Sequence, residues 1–259
     1  MLNSKKGDMQ MSMIILIVLG IITFFLIAAA ITKAYGGLKG KEAEQLCRNS
    51  IGMRANLAIN VGNDLTKLRI YPVLCKTQDK EIKGNRKTLK RELAQLSSRC
   101  WWMFHEGELE EIFDTITSET PLETNKCFIC NTVGIDQKEI DDAGPIDEAE
   151  LFDYFVDTKH NLYSSYTYLT YIQNFKGPGS LVVLDQIEGA RTYGIAFMSK
   201  EEGQGVDAGT IAASRDHQAI QNLKNEFYEN DNRETSVIVI DNINDIRASG
   251  CAEGDIAGQ

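Results

Sequence analysis

Residues 11–31 read MSMIILIVLGIITFFLIAAAI, a run without a charged side chain in which Ser12 and Thr23 are the only polar residues. At the α-helical rise of about 1.5 Å per residue, the run extends roughly 31 Å, the thickness of the hydrocarbon core of a bilayer. We therefore expect a transmembrane helix over residues 11–34, preceded by a short cytoplasmic tail over residues 1–10. The domain over residues 38–259 is then what this anchor holds.

The apolar run is open to more than one interpretation. A cleaved secretory signal has a shorter apolar core that is followed by small residues, and Ala28-Ala29-Ala30 would have to supply that cleavage site. The length of the run favours a permanent signal-anchor instead. Lysines flank both ends of the run, so a count of positive charge leaves its orientation open.

A third interpretation comes from Lys5-Lys6-Gly7, which precedes a few polar residues and then the apolar run. This order resembles the class III signal of archaeal and bacterial type IV pilin-like proteins. The resemblance covers the first 31 residues, and it implies cleavage after Gly7 and a helix that packs in a filament core. The fifth residue after that cut is Ser12 here, where the bacterial pattern has Glu. Gly36-Gly37 breaks the helix that a pilin would continue.

The cysteines indicate the side of the membrane on which the domain lies. All six follow the apolar run, and their number is even. Paired thiols on one side of a membrane indicate that this side is oxidising, which places the domain outside the cell and the N-terminus in the cytoplasm. The sequence selects none of the possible pairings. The candidates for disulfide bonds are Cys47, Cys75, Cys100, Cys127, Cys130 and Cys251.

Charge is distributed unevenly along the chain, whose formal net charge is −10. Residues 1–100 carry 17 Lys and Arg against 7 Asp and Glu, whereas residues 101–259 carry 10 against 30. A basic collar beside anionic head groups is one explanation. Differently charged faces of one domain explain it better, because the basic residues are spread over a hundred positions. The basic segment Lys83–Arg91 is typical of a solvated helix start, and we expect no nucleic-acid partner outside the cell.

Hydrophobic periodicity predicts several helices in the domain. Arg86–Phe104 carries leucines at a spacing of about 3.6 residues and gives the clearest helix. Asp147 is placed to cap a helix that ends near Thr158. A helix is also expected over Leu38–Ile59, and weaker helical patterns cover residues 163–175 and 216–229.

β-Forming residues predict the strands. Lys126–Ile135 is rich in them, and Ser236–Ile243 is the most apolar segment, which we expect inside the sheet. Ser180–Ile187 and Arg191–Ser199 flank a short turn and are predicted to pair as a hairpin. Strands and helices do not alternate regularly. We therefore expect one disulfide-stabilised α+β domain with a mostly antiparallel sheet packed by helices, and a flexible tail after about residue 252.

Cys127-Phe-Ile-Cys130 is a CxxC motif inside a β-like segment. A redox-active pair opens a helix, whose dipole lowers the pKa of one thiol. In a strand, by contrast, residues i and i+3 point to opposite faces, so one thiol can reach a helix and the other a neighbouring strand or loop. This favours structural disulfides over thiol-redox chemistry. A zinc site would want a second CxxC or a histidine pair at ligand spacing.

Other catalytic signatures are not found in the sequence. It has no GxSxG, HExxH or P-loop pattern. The three histidines are His105, His160 and His217. A helix end such as the one at His105 favours a cationic imidazole. We predict no catalytic residue, no cofactor and no metal site, and we favour a non-enzyme without excluding an enzyme.

The cluster from Cys100 to Phe104, CWWMF, is expected to fill the core, with Trp101 and Trp102 as a possible patch for a partner. PVLCKT over residues 72–77, CWWMF-x-EG from Cys100 and CFIC from Cys127 follow a single N-terminal anchor. This combination resembles small uncharacterised membrane-anchored proteins of reduced-genome archaea. The resemblance implies location and architecture and no activity.

These features predict a single-pass cell-surface protein with a non-catalytic interaction or structural domain. Its expected partners are the lipid bilayer and an unidentified protein at the cell surface. A type IV pilin-like filament or pseudopilin subunit is the alternative. A surface thiol-redox or hydrolytic enzyme is a further alternative. Retention or loss of residues 1–7 separates the first two hypotheses.

Overall fold

The computed structural model describes residues 14–23, 25–26, 40–56, 58–61, 66–69, 73–109, 127–136, 144–175, 179–198, 236–251 and 253. The chain divides into two compact units, Met1–Glu42 and Ala43–Gln259. In the first unit, residues 14–23 and 25–26 are helical, and their large apolar side chains are 47–67 % exposed. The predicted joint at Gly36-Gly37 and the predicted cleavage site at Gly7 lie outside the described residues.

The prediction of a transmembrane helix over residues 11–34 is not met. Within the ranges given above, no helix is both long enough and apolar enough to cross a membrane. A span needs about 20 consecutive apolar helical residues, and the helical residues described here are 14–23 and 25–26.

After residue 40 the elements follow one another in mixed order. They are α1 (Lys41–Asn56), β1 (Ala58–Val61), β2 (Thr66–Arg69), β3 (Gln78–Ile82), α2 (Arg86–Met103), a 3-10 turn (His105–Gly107), β4 (Cys127–Ile135), α3 (Glu148–Asp157), α4 (Tyr168–Asn174), β5 (Gly179–Val183), β6 (Thr192–Met198), β7 (Ser236–Asn242) and α5 (Ile243–Ala248). The helix predicted over residues 216–229 lies outside the described residues.

The main sheet has five strands in the order β3-β4-β6-β7-β5, and β1 and β2 form a separate antiparallel pair. β3 runs parallel to β4, and β5 runs parallel to β7. β6 is antiparallel to both of its neighbours, β4 and β7. The domain is therefore α+β, as predicted, but the expectation of a mostly antiparallel sheet is wrong because the sheet is mixed.

The prediction that Ser180–Ile187 and Arg191–Ser199 pair as a hairpin is also wrong, and it accounts for much of the error about the sheet. β5 and β6 follow each other in the chain, yet β7 lies between them in the sheet. The prediction that this apolar strand lies inside the sheet is confirmed, since β7 pairs with β6 on one side and with β5 on the other. Parallel neighbours require a long crossover. The connection from β3 to β4 includes α2 and is long enough for such a crossover. The sequence does not show that β3 lies at the edge of the sheet beside β4.

The larger core lies between the sheet and α2, α3 and α4. Trp101 of α2 and Phe104, the residue that follows this helix, are fully buried, and both rings contact Phe197 of β6, with centroids 5.8 Å and 4.2 Å away. α2 matches its predicted range, and Asn85 caps it by accepting from the Thr88 amide at 3.0 Å. The Asp147 cap on α3 is also confirmed.

The opposite face of the sheet is covered by α5. Ile243 and Ile246 pack there against β-strand side chains such as Val239 and Ala196. Gly194 of β6 makes this close approach possible, because a Cβ at this position would lie 2.6 Å from the Ile246 Cδ1 atom. The sheet is thus buried on both faces.

Three disulfide bonds connect these layers, which confirms the prediction of disulfides. Cys100–Cys130 joins α2 to β4, and Cys127–Cys251 joins β4 to the segment after α5. The third bond, Cys47–Cys75, joins α1 to the segment before β3. The closed loops span 28, 30 and 124 residues, and such cross-links stabilise a domain by about 2–4 kcal/mol each.

We predict that Gly179→Ala lowers the free energy of unfolding by about 1–3 kcal/mol, because overpacking a core displaces its neighbours. A Cβ at Gly179 would lie 2.3 Å from Trp101 Cη2 and 2.5 Å from the Ile172 carbonyl oxygen. Urea denaturation of the full chain measures the effect. Gly134→Ala is the matched strand control, since its nearest contact is the Lys80 oxygen at 3.9 Å. Equal stabilities of the two variants would contradict the prediction.

Candidate functional site

A polar cleft of about 520 Å³ opens where four adjacent strands meet α5. Asp79 of β3, Thr132 of β4, Thr192 of β6 and Asn242 of β7 each contribute a polar residue to its lining. In the register of the sheet, Asp79 lies directly opposite Thr132. The volume falls within the roughly 300–1,000 Å³ range of small-molecule sites. The remaining lining residues are Ala190, Arg191, Ile243, Asn244 and Arg247.

A bulge in β4 places Thr132 in the cleft. The register with β6 shifts between Ile129 and Asn131, so that Thr132 lies opposite Gly194, on the side that α5 covers. There the Thr132 hydroxyl donates to the Asp79 carboxylate. A bulge adds one residue to the strand and so reverses the alternation beyond it. Without the extra residue, Thr132 would face α2 instead of the cleft.

α5 and the segment after it supply one wall of the cleft. Asn242 caps α5 by accepting from the Asn244 amide at 3.0 Å. Arg247 makes two hydrogen bonds to Glu253, from Nε at 2.5 Å and from Nη2 at 2.6 Å. The hydrogen bonds to Glu253 and the charge of Asp79 raise the pKa of Arg247. The disulfide at Cys251 ties this wall to β4.

The turn before β6 supplies the opposite wall. The buried Tyr193 hydroxyl organises this turn, since it accepts from the Glu188 amide at 2.7 Å and donates to the Gln186 carbonyl at 2.9 Å. Burial raises the pKa of Tyr193 to about 12. Ala190 has a φ of 59°, a left-handed conformation that is strained for a residue with a side chain. Arg191 then pairs with Glu188 at 3.1 Å.

A second polar cluster is buried where α1 meets the end of α2 and α4. Arg48 Nη2 lies 2.8 Å from Glu106 Oε2, and Arg48 Nη1 donates to the Trp102 carbonyl. The Tyr171 hydroxyl donates to Glu106 Oε1 at 3.2 Å. Burial, reinforced by the Glu106 charge, raises the pKa of Tyr171, so this donor stays protonated. Glu106 is only 1 % exposed, so the cluster connects the helices and its carboxylate is closed to solvent.

This network holds an unusual end to α2. His105, Glu106 and Gly107 have φ values of 56°, 55° and 74°, so the chain makes a left-handed turn. Left-handed geometry costs roughly 1–2 kcal/mol for each residue with a side chain. His105 Nε2 donates to the Arg48 carbonyl at 2.8 Å. Burial lowers the pKa of His105, which outweighs the helix-end effect from which a cationic imidazole was expected.

His160 belongs to a neighbouring aromatic cluster. Its ring is 4 % exposed and stacks on Tyr171 and Tyr163, with centroids 4.4 Å and 5.3 Å away. Nδ1 accepts from the Tyr163 amide at 3.1 Å and from the Leu162 amide at 3.3 Å. Burial lowers the pKa of His160, so the ring is neutral. The remaining histidine, His217, lies outside the described residues.

The CxxC cysteines are not bonded to each other. Cys127 pairs with Cys251 on one face of the sheet, and Cys130 pairs with Cys100 on the other. The strand alternation predicted this divergence correctly. A redox-active CxxC cycles between a dithiol and a bond between its own two sulfurs, and the described pairing does not form that bond.

The predicted tryptophan patch is divided by burial. Trp101 is fully buried in the core, and its indole Nε1 has no hydrogen-bond partner within the described part of the chain. Trp102 is half-buried, and the Arg48 guanidinium lies 4.7 Å above its ring. A contact between Trp102 and a partner stays a prediction.

Sequence reasoning missed the polar cleft. One sign was present, because Asn242 and Asn244 lie at the end of the most apolar strand. Asp79, Thr132 and Thr192 carried no such sign. They become neighbours only through the strand order, in which two antiparallel pairs at the centre are flanked by a parallel pair on each side, and the sequence does not show this order.

We predict that Arg48→Met lowers the free energy of unfolding by about 3–5 kcal/mol, because it removes the Arg48 positive charge that lies 2.8 Å from the buried Glu106 carboxylate. Glu106→Gln added to Arg48→Met should restore much of that loss, since the remaining amide is neutral. Chemical denaturation of both single variants and the double variant gives the coupling energy. Arg91→Met, at a half-exposed side chain on α2, is the control. Additive effects of the two substitutions would contradict the network.

We predict that stability falls as the pH drops below about 6.5, the ordinary histidine pKa. The folded-state pKa values of His160 and His105 are lowered, so the unfolded chain binds more protons below that pH. His160→Asn keeps an acceptor near the Nδ1 position and should shrink the loss between pH 7 and 5. Thermal denaturation across this range measures it.

Glu150 separates acid effects from the histidine effect. The Arg86 hydrogen bond lowers the pKa of Glu150 to about 2, so its stabilising contribution is lost only at a more acidic pH than the histidine range. If His160→Asn and His105→Gln together leave the whole loss between pH 7 and 5 in place, neutral burial of these rings is not its cause.

Comparison with known proteins assigns the chain to no family. No protein-family model, no curated protein and no solved structure matches it. What the polar cleft can bind therefore follows from its own residues and their geometry.

Proposed function

We propose that this protein is a cell-surface protein whose domain is a non-catalytic interaction or structural module outside the cell. One observation carries the proposal: all six cysteines of the chain are paired in three disulfide bonds, and none is free. Disulfides persist in oxidising compartments and are rare where cellular reductants act. A domain cross-linked in this way is suited to a location outside the cytoplasm.

The distribution of the disulfides supports a rigid binding module. They fasten α1, α2 and the segment after α5 to the sheet or its leading segment. Both walls of the cleft stand on the sheet so fastened, and a rigid scaffold lowers the entropy lost on binding. The charged groups in the walls, Arg191 and Arg247, are held by Glu188 and Glu253. Side chains arranged in this way are suited to recognition.

Attachment to the cell membrane is part of the proposal. The feature that supports it is the uncharged sequence over residues 11–31. If the domain faced the cytoplasm, its cysteines would be expected to stay reduced and unpaired. The proposed orientation therefore puts the lipid bilayer on the N-terminal side and the partner of the domain outside.

The proposal predicts that protein alkylated inside intact cells contains no free thiol and gains six on reduction. Peptide mapping should return Cys47–Cys75, Cys100–Cys130 and Cys127–Cys251. Protease added to intact cells should degrade the domain, while a cytoplasmic marker protein survives as the control. Free thiols before reduction, or a domain that is protected in intact cells, would overturn the proposed location.

The intact mass of the protein isolated from membranes tests the pilin-like alternative in the same preparation. Loss of residues 1–7 would support a pilin-like or pseudopilin subunit, whereas a complete N-terminus would exclude processing after Gly7. The soluble fraction serves as the comparison, because a membrane-attached protein should be depleted from it.

A further inference from the structure

The charges that line the polar cleft are already compensated within the protein. Arg247 is held by Glu253 through Nε and Nη2, and Arg191 by Glu188 at 3.1 Å. The Asp79 carboxylate accepts from the Thr132 hydroxyl. An anion would be repelled by the Glu188 and Glu253 carboxylates, and a cation would be repelled by the two arginines at the rim. The cleft therefore favours a ligand without net charge.

The lining nevertheless offers many donors and acceptors to such a ligand. Arg191 and Arg247 have side chains that are 47 % and 48 % exposed. The pair with Glu253 leaves the N–H groups of Arg247 Nη1 for a ligand. Asn244 is exposed, and no described contact occupies its side-chain amide. Thr192 adds an exposed hydroxyl. Amide, guanidinium and carboxylate groups each present two polar atoms in one plane, which matches adjacent hydroxyl groups.

We propose that this cleft binds a neutral, hydroxyl-rich ligand of the saccharide class. The inference rests on the proposed function and names the ligand of its interaction module. The planar side chains of Asp79, Asn244 and Arg247 surround the space, and each can pair with two neighbouring hydroxyls. Ile243 and Ala190 are the apolar residues among the nine that line the cleft, so recognition rests mainly on hydrogen bonds. The volume of about 520 Å³ limits the ligand to a few sugar rings or to the end of a longer glycan.

The proposed site depends on the disulfide between Cys127 and Cys251. Cys251 lies between Arg247 and Glu253 in the sequence. Its bond to Cys127 therefore attaches to β4 the segment that contains both residues. Reduction would release this segment, and Arg247 would lose its fixed position. Binding of the ligand should therefore weaken when the disulfide is reduced. The pairing of the cleft's charges would not by itself predict this effect.

Nuclear magnetic resonance of the full chain tests the inference. The protein is kept in a polyoxyethylene detergent, because glucoside and maltoside detergents would compete for the cleft. The probes are methyl α-D-mannopyranoside, methyl β-D-glucopyranoside and N-acetylglucosamine, each added to about 50 mM because weak sugar sites have dissociation constants in the millimolar range. Saturable shifts should appear at the amides of residues 190–194 and 242–247. Sodium phosphate and calcium chloride are the charged comparison probes.

Two variants report on the cleft itself. Asn244→Ala and Thr192→Val should each weaken the binding of the responding sugar by about fivefold, the effect of one hydrogen bond. Asn49→Ala is the matched control, because Asn49 is an exposed residue on α1 that contacts Gln45 and does not line the cleft. Unchanged spectra outside the cleft show that the variants remain folded.

Several results would overturn the inference. They are the absence of saturable shifts with all three sugars, shifts that lie outside the cleft, equal binding by Asn49→Ala and Asn244→Ala, and localised shifts with phosphate or calcium in place of sugar. Each of these leaves the proposed function standing as long as the thiols are paired and the domain is outside the cell. Free thiols in intact cells would instead remove the proposed function.

Discussion

The domain depends on one strand that is cross-linked through both of its faces. β4 directs Cys127 to one side of the sheet and Cys130 to the other, because successive side chains of a strand alternate. Cys130 is bonded to Cys100 of α2, and Cys127 is bonded to Cys251 after α5. Both helical layers are thereby fastened to the same strand. β4 itself is paired on its two edges, in parallel with β3 and antiparallel with β6, so the covalent bonds and the sheet reinforce one another.

After Cys130, a bulge in β4 reverses which side chains point to each face of the sheet. Phe128 and Cys130 belong to the larger core, and after the bulge Val133 and Ile135 belong to it as well. The extra residue keeps apolar side chains on the α2 side and turns Thr132 toward α5. Gly194 opposite Thr132 lets α5 approach the sheet. A local irregularity therefore produces the polar cleft without a gap in the core, and Thr132 meets Asp79 there.

The two polar regions of the domain, the buried Arg48–Glu106–Tyr171 cluster and the cleft, differ in their exposure to solvent. The Arg48–Glu106–Tyr171 cluster is buried, its groups satisfy one another, and it holds a left-handed turn that would be unfavourable by itself. Such a network connects secondary-structure elements. Loss of one member is costly, because the low dielectric of the interior raises the free-energy cost of a charge that has no partner. The cleft also pairs its charges, but Arg191 and Arg247 remain about half exposed. Accessible donors that are already oriented are suited to binding, whereas buried ones are suited to stability.

The sequence by itself determined the local elements and the divergence of the CxxC cysteines. The leucine spacing of α2, the Asp147 cap and the β-forming residues of β4 act within a few neighbours, and period-two alternation suffices to separate Cys127 from Cys130. Only the tertiary structure decided the strand order, the parallel pairs, the disulfide partners and the polar cleft. These depend on contacts between distant residues, such as Asp79 with Thr132 and Cys127 with Cys251. Local propensity carries no information about which edge of a sheet a strand joins, and the insertion of β7 between β5 and β6 is decided by the burial of a strand that is apolar on both faces.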